Sequence, residues 1–157
     1  MNQFRRLRID RIAALICWML MPVYVYHVFR LTLLGRPIRD SRTLLVPFWE
    51  FRNFIRTERQ RYWMEQIMGN LAMLFPFGLM LPIMLKWFRT PVRTGVAAFG
   101  FSLFIESVQY VTGRGIFEID DLMHNTVGAL IGFFVFMFAI RLIHEYRRVY
   151  QSNEWDI

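Results

Sequence analysis

Residues 120–143 read DDLMHNTVGALIGFFVFMFAIRLI. A helix needs about 17–25 mostly apolar residues to cross a hydrocarbon core, and 122–143 meets that length with one formal charge, Arg141, near its end. The two acids suit a helix amino terminus, where carboxylates accept free N–H groups and meet the favourable end of the dipole. Working back along the chain, three more apolar runs appear. Residues 96–111 are interrupted by Glu106 and Gln109. Residues 67–85 carry Asn70, Pro76, Gly78 and Pro82 and are closed by Lys86, Trp87 and Arg89, a pattern of interfacial anchors. Residues 12–29 are uncharged and follow Arg5, Arg6, Arg8 and Arg11. No small-residue cleavage pattern follows this basic start, so it reads as an uncleaved helix and not a signal peptide.

The composition agrees. The chain has 157 residues, 55% of them hydrophobic and 17% aromatic, with a net charge of +7 and a mean hydropathy of +0.30, more apolar than the roughly 45–50% of soluble domains. Disorder is excluded by the density of large apolar side chains. A disulfide scaffold is excluded by the single cysteine, Cys17. The basic residues are mostly arginines flanking apolar runs, which argues for a membrane setting and against nucleic acid as a partner. The sequence predicts an all-α integral membrane bundle of four transmembrane helices, about 12–29, 67–88, 95–112 and 122–143, in one domain over 1–157. The two prolines of the second helix should kink it and free the carbonyls of Ala72 and Gly78.

Orientation follows from positive charge in the short connections. The amino-terminal arm, the 86–93 connection and the tail with Arg141, Arg147 and Arg148 are basic, whereas the third connection sets Arg114 against Glu118, Asp120 and Asp121. Both termini are expected in the cytoplasm, with the acidic turn outside. The long loop 30–66 holds eight arginines. Within it, 47–63 (PFWEFRNFIRTERQRYW) places Phe48, Phe51, Ile55 and Tyr62 on one helical face and Arg52, Arg56 and Arg59 on another. This reads as an amphipathic external segment between helices 1 and 2, lying in the headgroup plane as an anchor or a lid.

In this topology Asn70, Glu106, Gln109, Asp121 and Asn125 all fall in the external half of the bundle. Glu106 and Gln109 are i, i+3 neighbours, and Asp121, Asn125, Gly128 and Gly132 run along one helix face. A carboxylate in a membrane helix is costly, so Glu106 must be neutral, paired or open to water, and Arg114 is its expected cation. The amides of Asn70, Gln109 and Asn125 suit interhelical hydrogen bonds. Gly78 suits helix packing, and Gly128-x-x-x-Gly132 is a close-packing seam. His124 alone is a weak ligand, and Glu118, Asp120 and Asp121 read as solvated turn acids and caps, so neither a metal nor another cofactor is expected. No nucleophile elbow, phosphate-binding loop or zinc-protease motif is present.

These residues carry a resemblance. LLVPF at 44–48, NLAMLFPFG at 70–78, ESVQ at 106–109, Gly113-Arg114 and DDLMHNTVG at 120–128 with Gly132, in this order and spacing, resemble the VanZ-like family. These are small membrane proteins named for an accessory factor of teicoplanin resistance. The likeness is strongest over 44–132, and it departs at Leu44 and Leu45, where the family often has Asn before Pro-Phe. The resemblance implies a multi-pass bacterial inner-membrane protein with recurrent polar positions at Asn70, Glu106, Gln109, Arg114, Asp120, Asp121 and Asn125.

Those residues are the expected ligand-binding set, in an external pocket that binds or modifies an envelope component. The expected partners are membrane lipid and a cell-wall precursor or lipoglycopeptide, with reduced teicoplanin susceptibility as the outcome. One alternative is an enzyme acting on a polyprenyl or phospholipid headgroup, with Glu106 as the only candidate acid or base. The other is a structural or partner subunit in which the polar residues are glue. The absence of a complete catalytic set favours binding over enzymatic turnover.

Overall fold

The computed structural model describes residues 3–38 and 42–153, with side chains for 11–38, 42–146 and 148. The elements in chain order are α1 (Gln3–Phe29), a five-residue π-helical turn (Arg30–Leu34), β1 (Arg42–Leu44), α2 (Trp49–Arg56), α3 (Gln60–Met84), a short 3-10 turn (Lys86–Phe88), α4 (Pro91–Val111), β2 (Ile116–Glu118) and α5 (Ile119–Asn153). Among the described residues three segments are long and apolar enough to cross a membrane: Arg11–Leu34, Gln60–Met84 and Ile119–Tyr146. α4 occupies the place of the expected 95–112 crossing, and Glu106 and Gln109 dilute its apolar run. The side chains of Arg5, Arg6, Arg8 and Arg147, on which the orientation by charge leans, lie outside the described residues.

α3 packs chiefly on α5, and α4 also packs on α5. The α3–α5 crossing is backbone on backbone. A Cβ at Gly78 would lie 1.8 Å from the Ala129 carbonyl oxygen, one at Gly128 would lie 2.0 Å from that of Leu71, and one at Gly132 would lie 2.1 Å from that of Phe75. Only hydrogen fits at these three places, which is how small residues bring membrane helices together. Around this seam Leu74, Ala98 and Ala129 are fully buried, flanked by Phe77 and Phe101 stacked at 5.2 Å. α1 joins through Tyr24, whose hydroxyl donates to the Met73 carbonyl at 2.6 Å. That carbonyl is next along the chain from Ala72, whose oxygen Pro76 leaves without its helical donor.

The boundaries extend beyond the apolar runs because helices continue into polar sequence wherever propensity allows. α3 begins at Gln60, ahead of 67, and α5 runs from Ile119 to Asn153, past both ends of 122–143. The stretch 47–63 is not one helix. α2 ends at Arg56, and the Thr57 hydroxyl donates to the Asn53 carbonyl at 2.8 Å while accepting from the Trp63 indole at 3.1 Å, a corner that turns the chain into α3. Phe51 and Ile55 are exposed on α2.

The two strands were not foreseen. β1 pairs in parallel with β2, Arg42 opposite Ile116, Thr43 opposite Phe117 and Leu44 opposite Glu118. Three-residue strands carry too little period-2 pattern to announce themselves in sequence. Their effect is to fasten the first loop to the turn between α4 and α5.

Candidate functional site

The start of α3, the end of α4 and the start of α5 meet beside this strand pair. α4 terminates in a Schellman motif: the Arg114 N–H donates to the Gln109 carbonyl at 2.9 Å and the Gly113 N–H donates to that of Tyr110 at 3.2 Å. Gly113 has φ 65°, a left-handed conformation that glycine adopts without strain. This stop reverses the chain so that β2 runs back along the polar end of α4. Glu106 is 2% exposed, and its Oε2 accepts the Glu118 N–H at 3.2 Å. Arg114 is not its partner. The Arg114 Nη1 donates to the Leu33 carbonyl at 2.8 Å, and the cation facing Glu106 is Arg36.

The amides pair across helices. Asn70 Nδ2 on α3 donates to Asp121 Oδ1 on α5 at 2.5 Å. Asn125 Nδ2 on α5 donates to Ser102 Oγ on α4 at 2.9 Å, both residues being wholly buried. Gln109 Nε2 on α4 donates to the Thr32 carbonyl at 3.0 Å. Thr32 and Leu33 belong to the π-helical turn, where the wider winding leaves carbonyls open to outside donors. Gln109 Oε1 and Asn125 Oδ1 are buried and have no hydrogen-bond partner among the described residues.

Asp120 serves a different purpose. Its Oδ1 accepts the Phe48 N–H at 2.6 Å and its Oδ2 accepts the Glu50 N–H at 2.9 Å, so it caps α2 from across the molecule. Phe48 has φ 59°, a left-handed backbone for a bulky residue, held in place by that carboxylate. The clamp carries Glu50 into the site. Glu50 is 2% exposed, with Oε2 3.1 Å from His124 Nδ1. The sequence reading missed Glu50, because nothing in the spacing of an arginine-rich loop marks one acid as buried.

Glu50, Glu118 and Asp121 each bring a carboxylate oxygen within 4.8 Å of the other two. Oxygens around one hard cation sit at about 2.3–2.6 Å from it, hence at most about 5 Å from each other, so these three could hold a divalent ion. His124 contacts the set through Glu50. Burial, then the charges of Asp121, Glu50 and Asp120, push the Glu118 carboxyl up to about 7, against the opposing pull of Arg36.

Beside Glu118, between the strand pair and the start of α3, opens a cavity of about 780 Å³. It is lined by Arg36, Pro37, Arg42, Tyr62, Gln66, Arg114, Gly115, Ile116 and Glu118. Of the sequence-nominated residues only Arg114 lines it, together with Glu118 from the same turn. Glu106, Gln109, Asn125, Asp120, Asp121 and Asn70 form the polar layer from which the β2 turn is built. Arg36 and Arg42 were legible in sequence only as two of eight arginines in a long loop. The arrangement can bind: it offers cations, a phenol and an amide at an open mouth, over a layer of buried carboxylates. A family model described as VanZ/LLP1 matches residues 11–141. Comparisons with curated proteins and with solved structures gave no match.

Proposed function

The chain belongs to the VanZ/LLP1 family, and on that premise we propose that it is a four-span protein of the bacterial inner membrane whose outward-facing polar pocket binds a component of the cell envelope. Binding there lowers susceptibility to lipid-anchored glycopeptides such as teicoplanin. α4 is the fourth crossing: its 21 residues, at about 1.5 Å each, match a hydrocarbon core of about 30 Å. Both termini are cytoplasmic and the β1–β2 end is external. A basic, aromatic belt at the opposite end supports this orientation: Arg93 stacks on Trp87 at 4.7 Å and Arg89 Nε donates to the Pro82 carbonyl at 3.1 Å. α2 rests in the headgroup plane with Phe51 and Ile55 toward lipid.

The observation that carries the reading is the convergence of α3, α4, α5 and the first loop on one polar end with an open cavity of about 780 Å³, within the range of about 300–1,000 Å³ of small-ligand sites. Binding is favoured over turnover by the state of the candidate groups. Glu106 is engaged with a backbone N–H, and Ser102 is paired with the Asn125 amide and not with a base.

The test compares teicoplanin and vancomycin susceptibility of one sensitive host carrying empty vector, wild type or Glu106→Gln, with membrane abundance measured in the same cultures. Gln keeps an oxygen for the Glu118 N–H, so the variant should fold. A teicoplanin-selective shift that vanishes in an equally abundant variant is expected. No shift from well-expressed wild type would overturn the reading.

A further inference from the structure

The cavity has a chemistry more specific than polar. Arg36 follows the π-helical turn, Arg42 opens β1 and Arg114 precedes β2, yet all three line one wall-to-wall space. They converge because Arg42 is paired opposite Ile116, two residues beyond Arg114. A Cβ at position 115 would lie 3.3 Å from Arg36 Nη1 and 3.2 Å from Gln109 Cδ, a close fit in which the guanidinium packs against the turn. Arg36 is attracted by the Glu106, Glu118 and Asp121 carboxylates, and an anion in the cavity would further relieve the mutual repulsion of the three guanidiniums. Among the described residues neither Arg36 nor Arg42 forms an ion pair, and Arg114 has one N–H committed to the Leu33 carbonyl out of the five a guanidinium offers.

We propose that this cavity is a receptor for a phosphate-bearing headgroup held by the guanidinium forks of Arg36, Arg42 and Arg114. Planar forks match phosphate oxygens in pairs, which is why arginine recurs where phosphate is recognised. Tyr62 and Gln66, themselves linked at 3.3 Å, supply further donors from the first turns of α3. Glu118 faces the same space and would oppose an anion if ionised.

Exposed apolar residues near Arg36 in the chain suggest how such a group arrives. Leu34 and Ile38, either side of Arg36, are 64% and 72% exposed, and Ile116 on the lining is 41% exposed. Charged forks with exposed apolar side chains on the neighbouring residues fit a headgroup whose lipid tail remains in the bilayer.

This inference rests on the pocket reading above and names its ligand class. The experiment uses the purified full-length chain in a phosphate-free maltoside detergent, which keeps competing phosphate out. It is titrated calorimetrically with dihexanoyl phosphatidic acid and with inorganic phosphate. Phosphatidic acid should bind, and Arg36→Gln with Arg42→Gln, both exposed positions, should weaken it by about tenfold or more. Arg42→Lys should recover only part, since charge returns without the fork.

Phosphatidic acid binding well above phosphate assigns the site to a lipid headgroup, and equal binding assigns it to soluble phosphate; both uphold the site. Three results overturn it: no binding of either, binding unchanged in a folded double variant, or binding that disappears with a chelator while ignoring the arginines. The last would place the phosphate on a cation held by Glu50, Glu118 and Asp121. If the titrations fail while Glu106→Gln still abolishes the teicoplanin shift, the pocket reading stands and only its ligand class is wrong.

Discussion

Asp120 accepts the backbone N–H of Glu50 at 2.9 Å across a separation of 70 residues, and by doing so sets a buried acid from the first loop beside the carboxylates of β2 and α5. This clamp and the β1–β2 pairing together hold the loop against the site.

Replacing Asp120 should loosen that hold. Asp120→Asn puts an amide donor against one of two backbone N–H groups. The expected cost is about 1–3 kcal/mol, the range for stranding a buried hydrogen-bonding group. Hydrogen exchange in detergent should show faster exchange at the Phe48 and Glu50 amides while the α3 and α5 cores stay protected. Unchanged exchange at both amides would refute the clamp.

The α3–α5 seam separates glycines by position. Gly128→Ala sets a methyl 2.0 Å from the Leu71 carbonyl oxygen, so the helices must part, and membrane abundance and thermal stability should fall sharply. Gly69→Ala and Gly100→Ala meet nothing within 4 Å and should be neutral or stabilising by up to about 1 kcal/mol through helix propensity. Equal effects at 128 and 100 would mean the seam is not the close contact it is here.

Stability should depend on pH through Glu118. Its carboxyl, raised from 4.5 to about 7, binds its proton more tightly folded than unfolded. That contribution is therefore fully present below the unfolded value and is lost as pH rises through about 7. The thermal midpoint should decline between about pH 5 and about pH 7.5, and Glu118→Gln, which keeps the backbone N–H to Glu106, should flatten that slope. A slope identical in the variant would assign the titration elsewhere.

Ser102 and Asn125 tie α4 to α5. In a double-mutant cycle of Ser102→Ala and Asn125→Ala, unfolding should give a coupling of about 0.6 kcal/mol, and no more than about 1.7, the values typical of interhelical bonds in membranes. Strict additivity would show that the 2.9 Å contact contributes nothing of its own.

What was legible in the sequence has a physical pattern. Helices 1, 2 and 4 were read from long, mostly apolar runs, whose length and composition suit a membrane span. Glu106, Gln109, Asn70, Asp121 and Asn125 stood out because polar groups among apolar neighbours are expensive. Partners were harder. Arg114 was matched to Glu106 by proximity in sequence, whereas the Schellman turn at Gly113 sends its guanidinium to Leu33. Arg36, Arg42 and Glu50 were invisible, since in an arginine-rich loop a residue acquires its role only from the strand register and the Asp120 clamp. Neither leaves a periodic trace.

The parallel pairing of β1 with β2 also sets an order in time. Arg42 leaves the ribosome long before Ile116, and at about 5–20 residues per second the intervening stretch of roughly 70 residues takes about 4–14 s to make. Throughout that interval the first loop has no strand to join and Glu50 has no acceptor for its N–H. The pocket thus cannot close until β2 and Asp120 have been made, and a chain truncated before Asp120 would insert its first helices with an unclosed, protease-accessible loop.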